Sequence, residues 1–250
     1  MTYKTDGSVH HGGVKNEDLT VQILNEKKIY SHPVEKRGGT KVKEDAVAGY
    51  QRISIKRKDG ITNGSFDWFN TSAYNDVLGD TFDHFLSNMK ELRQMPESLR
   101  SDEEFVLKIR DGFNALCELA LDSLTSAQVV EILKRGLIDA NCGFDVVIND
   151  TKTSEIYVFA ADQHPAHDYI ANGYSIVLSG NGKSSRMINF VDAQGNVYDC
   201  GLRLRVTSNN GINAFLGTSK ANRNSQVVIK LQQDKVKNLL QQVKATQVSY

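Results

Sequence analysis

The hydrophobic period of this chain changes near residue 144, and the change limits the folds open to it. Before it, apolar residues recur at helical spacing. Phe82, Phe85, Leu86 and Met89 line one face of Asp76–Leu92, and Phe105, Ile109, Phe113, Leu116 and Leu119 line one face of Asp102–Leu124. Ser126 stands where a third helix, 127–135, needs its N-cap, and Gly136 marks its end. The helical middle closes near Asn141. After it the period is two: 144–148, 155–160, 175–178, 187–191 and 202–206 read as strands, with a turn at 192–196. The stretch 227–243 is an apolar run followed by a helix that buries Val236, Leu239, Leu240 and Val243.

Ahead of the helical middle, Leu19, Ile23 and Leu24 predict a helix over Asn16–Lys27, entered through Gly12 and Gly13. Residues 46–48 and 52–57 then read as a β-hairpin turned at Gly49 and Tyr50. The segment 59–73 reads as a Gly/Asn/Ser loop carrying Phe66, Trp68 and Phe69. The order is helix, hairpin, helices, strands, helix. That order predicts an α+β chain with a central mixed sheet flanked by helices, not a doubly wound fold. It is read as one domain, residues 1–250, with a hairpin region 12–72, a helical middle 74–141 and a β-rich part 144–250.

Global charge names no partner, because 30 basic residues balance 30 acidic ones; only local charge is informative. Cys117, Cys142 and Cys200 are odd in number and form no CxxC, so neither a zinc ribbon nor a disulfide framework is indicated, and a reducing compartment fits. The first residues carry no apolar run of the secretory type, and no stretch reaches the roughly 20 apolar residues of a membrane span. A cytoplasmic protein, of microbial or viral origin, is the expectation.

Local charge gathers between Gly38 and Gly60, where Lys41, Lys43, Arg52, Lys56, Arg57 and Lys58 surround Asp45. If the hairpin pairs across Gly49 and Tyr50, Asp45 lies opposite Ser54 on one face, with Lys56 diagonal to it. Ile53 and Ile55 take the other face. A carboxylate beside a lysine suits phosphodiester hydrolysis. Magnesium binds through one or two carboxylates and water, and the lysine positions the attacking water or stabilises the charged transition state.

This arrangement resembles the PD-(D/E)xK nuclease superfamily, to which many type II restriction endonucleases belong. The resemblance lies in the helix NEDLTVQIL with Glu17, the strand TKVKEDAVA with Asp45, and the tripeptide Ser54-Ile55-Lys56 in the place of (D/E)xK; it covers roughly residues 12–72. It implies that Asp45, Ser54, Lys56 and Glu17 form the catalytic site, that Asp45 and Glu17 hold Mg2+ (or Mn2+), and that the cut leaves a 5′-phosphate. Two departures stand out: Glu44, not proline, precedes Asp45, and Ser54 replaces an acid. Glu17 or Glu44 is left to supply the missing charge. Strand alternation puts Glu44 on the face opposite Asp45, which favours Glu17; Glu35 is a further candidate.

The expected substrate is double-stranded DNA, contacted by Lys41, Lys43, Arg57, Lys58, Trp68 and Asn70 around the hairpin and by Arg203, Arg205, Lys220 and Arg223 in GLRLRVTSNNGINAFLGTSKANR. A restriction-type enzyme cutting both strands implies a homodimer. The alternative is a catalytically inactive nucleic-acid-binding or assembly protein with the same fold. GNGKSS, from Gly180, lacks the spacing of a phosphate-binding P-loop. His164 and His167, in DQHPAHDY, read as a polar loop before a zinc site.

Overall fold

The computed structural model describes residues 8–37, 44–58, 65–70, 74–96, 98–99, 102–182, 184–207, 226–232 and 235–250. The architecture is α+β, with a mixed sheet and flanking helices. In chain order the helices are α1 (Ser8–Glu26), α2 (Asn75–Leu78), α3 (Asp83–Gln94), α4 (Glu103–Asp122), α5 (Ser126–Leu133), α6 (Ala166–Ala171) and α7 (Val236–Gln242). The strands are β1 (Val34–Lys36), β2 (Ala46–Ala48), β3 (Gln51–Lys58), β4 (Ser65–Asn70), β5 (Phe144–Asp150), β6 (Glu155–Ala160), β7 (Ser175–Gly182), β8 (Ser185–Val191), β9 (Val197–Thr207), β10 (Gln226–Leu231) and β11 (Thr246–Ser249). They fall into two compact units, one made of Asp6–Ser65, Ile138–Asn172 and Leu231–Tyr250, the other of Met1–Thr5, Phe66–Leu137 and Gly173–Lys230.

The first of these, the hairpin unit, is built on a six-stranded sheet of order β1-β2-β3-β5-β6-β11. β1, β2 and β3 form an antiparallel meander, with Val34 opposite Ala48 and Ala46 opposite Ile53. β3 then runs parallel to β5, with Ile55 opposite Val147. Side chains two apart share a face, so Val34, Ala46, Ala48, Ile53, Ile55 and Val147 make one apolar surface, and Ile23 and Leu24 of α1 are buried against it. β1 lies at the edge of the sheet, where backbone groups would lack a strand partner. Asn25 supplies one: its amide donates to the Val34 carbonyl at 2.9 Å and its oxygen accepts the Val34 N–H at 2.7 Å. Asn149 is fully buried beside this core. Its amide donates to Asn16 at 3.2 Å and Thr20 at 2.9 Å, and its oxygen accepts from the Tyr250 hydroxyl at 2.9 Å.

The other unit, the helical unit, carries α2 to α5 and a five-stranded sheet of order β4-β10-β9-β8-β7. β8 alternates cleanly: Arg186, Ile188 and Phe190 are buried, and Ser185, Met187 and Asn189 are half-exposed. Arg186 takes an apolar position because α4 neutralises it there, Asp122 accepting from Nε at 2.8 Å and from Nη2 at 2.9 Å.

Several local expectations change. The helix expected over Asp76–Leu92 breaks at Gly79, whose φ of 51° an L side chain rarely adopts, and a 3₁₀ turn separates α2 from α3. The N-cap of α5 is Thr125, not Ser126; Thr125 forms a capping box with Gln128, and the Ser126 hydroxyl instead accepts the Ile176 N–H of β7 at 2.7 Å. Gly136 does not end the helix, because a π-helical turn continues through Lys134–Ile138. The loop expected at 59–73 contains β4.

Candidate active site on the hairpin

The predicted register is the one observed. Ala46 faces Ile53, which places Asp45 opposite Ser54 at the point where β2 begins. Asp45 is tied in by its backbone on both sides: its N–H donates to the Ile53 carbonyl at 3.0 Å, and its carbonyl accepts the Arg37 N–H at 2.9 Å. The β2–β3 ladder of the described residues ends at Ala46 and Ile53, and the next inward N–H of β3 belongs to Ile55. The Asp45 carboxylate takes it, Oδ2 accepting at 2.7 Å. Ser54, 5% exposed, donates to the same oxygen at 3.4 Å. Asp45 Oδ1 has no partner among the described residues.

Glu17, on α1, belongs to the same electrostatic neighbourhood. Burial pushes its carboxyl above the usual value, and the charge of Asp45 pushes it further. Lys36 of β1 opposes that rise. Its ammonium lies 3.5 Å from Glu17, 2.6 Å from Asp18 and 3.3 Å from the Val14 carbonyl. The Asp18 hydrogen bond in turn holds Lys36 above the ordinary lysine range. The site thus has two carboxylates close enough to repel, with one lysine bound to the helical member. Lys36 was not among the residues singled out from sequence. No local signal marks it, because a three-residue strand carries no readable period and the contact spans 18 residues.

The remaining predicted residues divide. Lys56 follows Ser54 by two positions on β3 and is half-buried, and Arg57 next to it is exposed. Glu35 alternates away from Lys36 and the α1 face, and is exposed. The backbones of Lys58, Trp68 and Asn70 lie in β3 and β4; their side chains are outside the described residues. Lys41, Lys43, Lys220 and Arg223 are also outside them. Arg203 and Arg205 lie on β9 of the helical unit.

Among the described residues no three His, Cys, Asp or Glu side chains converge as a ready-made metal cluster. His164 is fully buried, and burial holds its pKa down to about 3; its Nδ1 accepts the Ala166 N–H at 3.2 Å, joining the loop to the first turn of α6. Cys117, Cys142 and Cys200 form no disulfide. Among the described residues no helix is long and apolar enough to cross a membrane. No protein-family model matches the sequence. No curated protein and no solved structure matches it either.

Proposed function

We propose that the hairpin unit is a metal-dependent DNA endonuclease site of the PD-(D/E)xK type, in which Asp45 and Glu17 hold Mg2+ or Mn2+ and Lys56 acts on the attacking water. The observation that carries this reading is the register that sets Asp45 opposite Ser54, with Lys56 two residues further along β3; Glu17, whose carboxyl is raised by burial first and by the charge of Asp45 second, is the second acid, and a cation between two carboxylates turns repulsion into attraction. The strand order supports it too, since α1 is followed by an antiparallel β1-β2-β3 meander and a parallel β5, with the acids on α1 and at the start of β2. Asp45 Oδ2 is engaged by Ile55, and Oδ1, which has no partner among the described residues, is the oxygen assigned to the cation.

The bound ion would activate water and neutralise charge on the scissile phosphate. Ser54 donates to Asp45 and fixes its orientation in place of contributing a charge of its own. Lys56, two residues further along β3, would orient the water or steady the developing negative charge. Arg57, exposed beside it, would meet the DNA backbone. Cutting both strands of a two-fold DNA site would take a homodimer.

One observation favours the inactive alternative. The Ile55 N–H gives Asp45 a purely structural task, closing the gap where β2 leaves β3. Metal binding separates the two readings. Mg2+, Mn2+ or Ca2+ should raise the thermal midpoint of the wild-type chain, and Glu17→Gln should remove that rise. A midpoint indifferent to all three ions would leave Asp45 with its structural task alone.

A further inference from the structure

The six-stranded sheet ends in β1 on one side and β11 on the other, and the two edges differ. At β1 the Asn25 side chain occupies the outward backbone groups of Val34. At β11 the outward groups are bare. β11 pairs antiparallel with β6, Thr246 opposite Val158 and Val248 opposite Ile156, and the Tyr250 N–H continues the ladder to the Ser154 carbonyl at 3.1 Å. Thr246, Val248 and Tyr250 therefore turn their backbone groups towards β6, and Gln247 and Ser249 turn theirs away. Neither the N–H nor the carbonyl of Gln247 or Ser249 has a partner among the described residues, and both residues are exposed. Edge strands are usually guarded by a lysine, a proline or a bulge. The stretch from Thr246 to Tyr250 has no charge and no proline, and its register with β6 is unbroken. It is also held in shape from its own sheet: the Gln247 amide donates to Glu155 at 2.6 Å and the Tyr250 hydroxyl to Asn149 at 2.9 Å.

We propose that β11 is the dimer edge of this chain, where it pairs antiparallel with β11 of a second copy about a two-fold axis at Val248. Strand alternation makes that register self-complementary. Gln247 stands opposite Ser249 on either side of the axis, and every outward N–H and carbonyl of Gln247 and Ser249 in both strands finds a partner. Val248 meets Val248 at the axis, and Thr246 meets Tyr250, a β-branched residue against an aromatic one. A register centred on Gln247 would set Ala245 opposite Ser249, and the Ala245 N–H is already given to the Leu240 carbonyl at 3.1 Å. Symmetric pairing sets no like charges opposite each other, because the strand has none. A second copy is the occupant that this edge fits, and it joins two six-stranded sheets into one. The inference rests on the homodimer of the function proposed above and not on its chemistry.

The test is the state of association of the full chain in EDTA and without DNA, read by cross-linking and by sedimentation velocity. In a Cys142→Ser background, which removes the exposed thiol, Val248→Cys should give a disulfide-linked dimer with oxidised glutathione, because a pair at the axis brings its Cα atoms to about 4.5 Å. Thr246→Cys should not, because its counterpart lies about 14 Å away along the strand. Ser249→Pro removes an outward N–H without touching the β6 ladder and should weaken the dimer at least about tenfold. Ser249→Ala keeps that N–H and should dimerise as the wild type does. A wild type that stays monomeric at every concentration would leave the edge to an extended strand of another protein and would overturn the proposal. So would cross-linking at Thr246 as complete as at Val248, or a Ser249→Pro variant that dimerises as tightly as the wild type. Cleavage that needs Asp45 from a monomeric chain would keep the nuclease reading and lose this edge. A Val248 dimer without cleavage would do the reverse.

Discussion

The Asp45 carboxylate accepts the backbone N–H of Ile55 at 2.7 Å, one strand over and ten residues along. One side chain thereby closes the sheet and turns a charge towards the start of β2. The two tasks come apart on substitution. Asp45→Ala leaves a strand N–H without its acceptor and should cost about 1–3 kcal/mol in urea denaturation. Asp45→Asn keeps an oxygen in place and should cost less. Equal stability of the two variants would show that the Ile55 contact contributes nothing.

Lys36 holds Glu17 and Asp18 from β1, and its side chain is 27% exposed. Lys36→Met should lower stability in EDTA by about 1 kcal/mol or less, as partly exposed ion pairs do. It should also enlarge the rise in thermal midpoint on adding Mg2+, because Glu17 then lacks the ammonium that opposes its repulsion by Asp45. A smaller rise than in the wild type would place Lys36 outside the site's electrostatics.

Arg186 is 4% exposed and bound through Nε and Nη2 to Asp122, with Glu118 at 3.5 Å. Arg186→Ala should cost about 2–4 kcal/mol, toward the lower side of a broken buried pair because both acids can rehydrate. Arg186→Lys should not recover it, since an ammonium cannot span both Asp122 oxygens. Recovery by lysine in thermal denaturation would reduce the contact to simple charge.

His164 has a folded pKa near 3 against an ordinary 6.5, because burial disfavours the charged ring. A depressed histidine contributes stability that is present above 6.5 and lost as pH falls towards 3. Between pH 6.5 and 5 the loss should be about 2 kcal/mol by urea denaturation. His164→Asn, which retains an acceptor for the Ala166 N–H, should show a shallower loss over that window.

Where periodicity was strong, the sequence was readable. The Asp45–Ser54 register followed from alternation around Gly49–Tyr50, β5 began where the period changed, and β6 spans the residues read for it. Short or composite features were not. β1 has three residues, β4 lies among Gly, Asn and Ser, and β11 is mostly polar and exposed. The Thr125 cap had a visible sign, Gln128 three residues on, that the neighbouring Ser126 obscured. The Glu17–Lys36 contact had none, because tertiary packing alone brings α1 and β1 together.

The most direct measurement is cleavage of supercoiled plasmid in Mg2+ and in Mn2+ by the wild type, Asp45→Asn and Lys56→Ala, each shown to be folded. The account predicts nicked and linear products from the wild type and at least about a hundredfold loss in either variant, the scale on which removing a single stabilising or proton-transferring group acts. No cutting by the wild type in either metal, or cutting that survives both substitutions, would contradict it.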